Sequence, residues 1–152
     1  EKGDFFLIYS DLKIRSANLT DTDSIVSLTI ELGYNPTHEE IKSKIKKISK
    51  IDEQAVFVAE YENVIGWIHI TLVEPLESLP FVEIKGIVVN LNFRGKGIGT
   101  KLINEAEKWA SSKGINSIRV RTNIKRTETI DYYKKIGFGL KKSQEVLEKT
   151  ID

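Results

Sequence analysis

The chain has 152 residues, 40% hydrophobic and 30% charged, with a net charge of +1. That length and balance fit one globular domain with a real core, and the near-zero charge excludes a global basic field for nucleic acid or an anionic membrane. Without cysteine there is no disulfide, no zinc ribbon and no cysteine acyl-enzyme, and no apolar run reaches the ~18 residues of a membrane-spanning helix.

The opening stretch, Glu1 to Ile8, is too short and too acidic for a secretory signal, so a cytoplasmic location is expected. Leu12 to Ala17 alternates and predicts a first strand. Leu19-Thr20-Asp21 offers helix-cap chemistry, Ile25, Leu28 and Leu32 follow at helical spacing, and Gly33 stops the run. The Tyr34-Asn35-Pro36 loop is a candidate wall for a substrate site, because such contacts commonly lie on loops. Thr37 and Glu40 form a capping box for a second helix, with Ile41, Ile45 and Ile48 on one side and solvated lysines on the other.

Ala55 to Tyr61 and Val64 to Leu72 predict a β-hairpin around Glu62-Asn63. A loop follows, acidic at Glu74 and Glu77. Phe81 to Val89 predicts a strand, and a glycine-rich turn leads into a helix over about Thr100 to Ser112. Leu102, Ile103, Ala106, Trp109 and Ala110 form its buried stripe, and Gly114 ends it. A strand from Ile118 to Asn123, a helix holding Tyr132 and Tyr133, and a last strand over about Phe138 to Glu148 complete a β-α-α-β-β-β-α-β-α-β order. That order predicts an α/β fold with a mixed sheet flanked by helices.

The turn reads Arg94-Gly95-Lys96-Gly97-Ile98-Gly99. Glycine lets a ligand approach the backbone, and the first N–H groups of a helix attract phosphate. Two familiar phosphate motifs fail on spacing. A P-loop needs Gly-Lys-Ser/Thr, but Gly97 follows Lys96; a dinucleotide fingerprint needs Gly-x-Gly-x-x-Gly, but the third glycine comes one place early.

The pattern resembles the acyl-CoA loop of the GNAT superfamily of N-acyltransferases, Arg/Gln-x-x-Gly-x-Gly/Ala, through Arg94, Gly97 and Gly99. Upstream, Phe81 to Val89 is similar to that family's splayed central strand. Downstream, Ile118 to Asn123 is similar to the neighbouring strand with its terminal Asn. Tyr132-Tyr133-Lys134-Lys135-Ile136-Gly137-Phe138 resembles the family's last-helix ending. The four pieces occur in family order, and the resemblance covers about residues 12–149 of a single domain spanning 1–152. One departure is the ten-residue step from Asn123 to Tyr133, about seven in many members, which adds a basic Lys125-Arg126-Thr127 insert.

The resemblance implies an acetyl-CoA-dependent N-acetyltransferase that works by direct transfer to a primary amine, without a metal. It implies cofactor contacts at Ile87, Val88 and Val89 on the strand, at Arg94, Gly95, Lys96, Gly97, Ile98, Gly99 and Thr100 on the turn, and at Asn123, Arg126 and Tyr133 beyond. Tyr133 takes the place of the tyrosine that protonates the departing thiolate. Glu83 takes the place of a glutamate base, with water as the alternative; Glu83, Lys85 and Ile87 share a strand face unless a bulge intervenes. Tyr34, Trp67 and His69 are candidates for lining the acceptor site. The acceptor itself, a small-molecule or peptide amine, is not named by these residues. A homodimer is open by analogy, through the terminal strand or the hairpin edges. The non-enzymatic alternative is an acyl-CoA-binding sensor. Neither nucleic acid nor membrane is an expected partner.

Overall fold

The computed structural model describes residues 10–152, so the stretch Glu1 to Ile8 lies outside it. Five strands form one sheet in chain order: β1 (Lys13–Ser16), β2 (Gln54–Tyr61), β3 (Asn63–Val73), β4 (Phe81–Val89) and β5 (Ile118–Val120). The first four pair antiparallel and β5 joins β4 in parallel, which makes the sheet mixed. Glu62 turns the β2–β3 hairpin with a left-handed φ of 61°. Asn63, expected in the turn, is the first residue of β3.

Helices α1 (Thr22–Glu31) and α2 (His38–Ile48) cover one face. Ile25 and Ile45 pack there with Val58, flanked by Ala17, Ile41, Val64 and Trp67. Helix α3 (Ile98–Ser112) covers the other face with Leu102, Ile103, Ala106 and Ala110. It lies so close that a Cβ on Gly66 would meet Leu102 Cδ1 at 3.3 Å and the Val88 carbonyl at 3.0 Å. Ile68, Ile70, Leu102 and Ile103 are at most 1% exposed, and each such side chain stabilises the fold by about 1.5–3 kcal/mol.

Helix ends follow local chemistry. At α1, Gly33 is left-handed and Tyr34 N–H reaches the Thr29 carbonyl (3.3 Å); at α3, Gly114 is left-handed and Ile115 N–H reaches the Ala110 carbonyl (2.9 Å). Both are glycine stops in which orphan carbonyls are satisfied by a chain reversal.

The chain forms two compact units, one ending at Arg121 and the other running Thr122–Asp152. The second contains α4 (Thr127–Lys135). The strand expected over Phe138 to Glu148 does not form: those residues carry neither helix nor strand. Leu140, Val146 and Leu147 are 77%, 86% and 88% exposed. Phe138 is instead spent on ending α4, where its N–H donates to the Tyr133 carbonyl.

Candidate active site

Strand β4 and the turn after it organise the site. The parallel pairing with β5 covers only Val82–Ile84 against Ile118–Val120. From Gly86 to Val89, β4 pairs with β3 on one side, and among the described residues its β5 side beyond Ile84 has no partner strand. An open strand edge presents backbone N–H and C=O groups to a ligand.

The turn is braced from a distance. Glu31, the last residue of α1, accepts from Asn90 Nδ2 (3.0 Å) and from Leu91 N–H (3.0 Å), and Asn90 Oδ1 accepts from Asn92 N–H (2.9 Å). Arg94 Nε donates to the Val89 carbonyl (3.0 Å), tying the turn to the strand end. Gly95 and Gly97 are left-handed, with φ of 75° and 83°, which only glycine adopts cheaply. Gly97 is the N-cap of α3, and no side chain caps that helix. By contrast, Thr37 and Glu40 close the start of α2 reciprocally, at 3.1 and 3.3 Å. Ile98, 2% exposed, anchors the first turn of α3 in the core, with Gly99 and Thr100 following it. Lys96 lies half-buried in the turn between the two left-handed glycines.

A bulge intervenes on β4. His69 pairs with Gly86 and Ile70 with Ile84, so Lys85 is the extra residue. The bulge turns Ile87 to the α3 side, opposite Ile68, and leaves Glu83 and Lys85 together on the α1/α2 side. Glu83 is buried, at 6% exposure. Its two oxygens accept from Arg121 Nε (2.8 Å) and Lys85 Nζ (3.1 Å). Burial by itself would raise the Glu83 pKa, but the bonds and charges of Arg121 and Lys85 outweigh it and hold the carboxyl below its ordinary value. An ionised, doubly paired carboxylate is a weak base.

His69 and Trp67 lie on the same face of β3. His69 is half-buried and Nε2–H donates to Gln54 Oε1 (2.7 Å). Burial lowers its pKa, with further lowering from the charges of Lys85 and Lys44, so it is neutral at pH 7. The Trp67 ring lies over Gly86, where a Cβ would meet Cη2 at 2.9 Å. Trp67 Nε1 is buried with no partner among the described residues. Val88 pairs with Trp67 and is buried, while Val89 ends the strand against Gly66. Tyr34 is 67% exposed on the loop between α1 and α2.

In the second unit, Gly137 is left-handed and Phe138 N–H donates to the Tyr133 carbonyl (2.9 Å). The Phe138 ring meets the Tyr133 ring edge-on at 5.3 Å. The Gly-Phe pair thus ends α4 and immobilises Tyr133, which is buried. Burial raises its pKa, the neighbouring Tyr132 adds to the rise and Arg126 opposes it, so the phenol stays protonated. Asn123 Oδ1 accepts from Lys125 N–H (2.9 Å) and its carbonyl from Arg126 N–H (2.9 Å), a local turn that sets up the start of α4.

Arg121, Glu31, Gln54 and Gly86 are the site residues that sequence reasoning missed. Arg121 and Glu83 are 38 positions apart, and Glu31 and Asn90 are 59 apart, so no local pattern signals them.

Comparisons with known proteins give the family and the fold. A family model described as "Acetyltransferase (GNAT) family" matches residues 23–138. An uncharacterized N-acetyltransferase of Methanocaldococcus jannaschii is 28% identical over 134 residues, 82% of this chain; the chain spans 59% of that relative's length. From Salmonella typhimurium, an aminoglycoside N(6')-acetyltransferase type 1 is 26% identical, covering 84% of this chain and 91% of its own length. An aminoalkylphosphonate N-acetyltransferase from the same organism is 28% identical, covering 83% and 84%. Among solved structures, the aminoglycoside N-acetyltransferase AAC(6')-Iy in complex with CoA superimposes with a TM-score of 0.82 at 23% identity, over 92% of this chain and 95% of its own, a likeness of fold. Sequence motifs, sheet topology and family match converge: the chain belongs to the acetyltransferase (GNAT) family, an N-acetyltransferase family.

Proposed function

We propose that this protein transfers the acetyl group of acetyl-CoA to a primary amine in a ternary complex. The observation that carries the reading is the β5 side of β4 beyond Ile84, without a partner strand among the described residues, leading directly into the uncapped, doubly left-handed glycine start of α3. That geometry suits a ligand with a peptide-like arm and a pyrophosphate. The α3 dipole and the N–H groups from Gly97 to Thr100 hold the phosphates, with Lys96 adding charge. Ile87, Val88 and Val89 offer backbone to the arm, and Val89 N–H polarises the thioester.

Acetyl-CoA supplies an activated acyl carbon with a thiol leaving group. The acceptor ammonium first gives one proton to water. The new N–C bond forms as the C–S bond breaks, the thiolate takes the Tyr133 phenol proton, and the nitrogen's second proton restores the phenol. Water is preferred to Glu83 as first acceptor because both Glu83 oxygens are bonded to cations. Glu83 then sets charge and orientation instead. His69, neutral and hydrogen-bonded to Gln54, lines the acceptor side with Trp67.

The test is free-thiol release from acetyl-CoA across a panel of amines, with calorimetric CoA binding on the same sample. Binding with turnover of an amine is expected. Tyr133→Phe should lower kcat about 100-fold and leave CoA affinity within about twofold. Binding without turnover on any amine replaces the enzyme with an acyl-CoA sensor, and no binding removes the reading.

A further inference from the structure

Resting on that transferase reading, the geometry around Glu83 points to the acceptor: we propose a small amine that carries its own anion, a carboxylate or phosphonate, rather than a polycation such as a polyamine or aminoglycoside.

The two Salmonella relatives do not choose between these classes, since their identities to this chain, 26% and 28%, are nearly equal. The side chains do. Glu83 is the buried member of its cluster, with a side chain 8% exposed, and both oxygens are taken. Its partners face solvent: Lys85 is 49% exposed and Arg121 64% exposed. An acceptor arriving from solvent meets the outer sides of two cations before it meets a carboxylate. The neighbouring His69 adds no negative charge, and Lys44 of α2 reaches it electrostatically from the facing layer. Within the hydrogen-bonded cluster, two cations stand against one carboxylate.

Such a rim does two things for an anionic amine. Its net positive charge attracts the carboxylate or phosphonate, and the solvent-facing Lys85 ammonium is the nearer charge to it. The cations also disfavour the ammonium form of the attacking nitrogen, which favours the neutral nucleophile without a strong base. A polyamine shares the second effect but has no anion for the rim to hold, and it brings further like charge.

The experiment compares three amines on the same three-carbon chain: 3-aminopropylphosphonate, 3-aminopropanol and 1,3-diaminopropane, with kanamycin and aspartate added. Thiol release is followed at low and high salt. The expected order of kcat/KM is anion over neutral over cation, about tenfold per step at low salt and compressed at high salt. Lys85→Gln and Lys44→Gln should each lower kcat/KM for the phosphonate, mainly through KM, several-fold more than for the propanol. Lys44 makes no bond to Glu83, so its variant answers the question even if Lys85→Gln unfolds. Highest kcat/KM for the diamine or kanamycin, or equal losses for all three amines, overturns the inference and leaves the transferase standing. No turnover of any amine by CoA-competent protein removes both.

Discussion

The α1/α2 face of the sheet carries two ionic triads built in opposite proportions. At one edge, Arg15 stands between two carboxylates: its guanidinium binds both oxygens of Asp21 at 2.8 Å and reaches Glu60 at 3.1 Å. Asp21 is 4% exposed and also accepts the Asn18 N–H (2.8 Å), so this triad fastens β1, β2 and the turn before α1. At the other edge, Glu83 stands between two cations, and it is the cations that face solvent. The ingredients are alike and the consequences differ. A bidentate pair closed on a buried carboxylate is a strut. A buried carboxylate holding two solvent-facing cations, one oxygen each, is a charged rim that contributes little to stability.

The sharpest way to break that contrast is to remove the buried acid from each. Asp21→Ala leaves Arg15 with Glu60 alone and uncaps the turn, and should cost roughly 2–3 kcal/mol in urea unfolding. Glu83→Gln keeps the volume and loses two pairs with exposed cations, so about 1 kcal/mol or less is expected, together with a clear change in acceptor KM. Equal destabilisation by the two variants would erase the distinction. Replacing Gly97 by Ala tests the neighbouring helix start. The left-handed φ of 83° makes a Cβ costly by about 1 kcal/mol, and CoA affinity should fall several-fold while α2, capped by its own side chains, is untouched.

Acid titration gives the smallest expected effect. Burial pushes Asp21 and Glu83 upward, but their cation partners win and both carboxyls lie below their ordinary values of 3.8 and 4.5. The unfolded chain therefore binds more protons as pH falls, so this stabilisation is complete above the ordinary carboxylate range and is lost through the lowered values. Stability should start to decline near about pH 4.5, and Asp21→Asn should flatten that decline more than Glu83→Gln. The rate profile should show no Glu83 limb between about pH 5 and 9, only the rise set by the amine's own titration. A limb that vanishes in Glu83→Gln would restore Glu83 as the base.

Features that depend on a few neighbouring residues were legible in the chain. The Thr37–Glu40 box, the Gly33 and Gly114 stops, the glycine turn and the Gly137-Phe138 ending all form within about six residues. Their cause is local: which φ a residue tolerates, and which side chain reaches the next orphan N–H or carbonyl. The strand from Phe81 to Val89 was equally visible, but the face its residues present was not, because one extra residue at Lys85 reverses the phase beyond it.

The amino-acid sequence by itself determined the family, the order of elements from β1 to α4 and the glycine start of α3, since these rest on backbone geometry and short-range hydrogen bonds. Only the tertiary structure decided that Glu83 is clamped by Arg121 and Lys85, that Glu31 braces the turn at Asn90, that β4 opens after Ile84, and that no strand forms after Phe138. Those outcomes depend on strand register and on charges brought together across long stretches of chain, and pairing partners are chosen by the whole fold rather than by the segment that uses them.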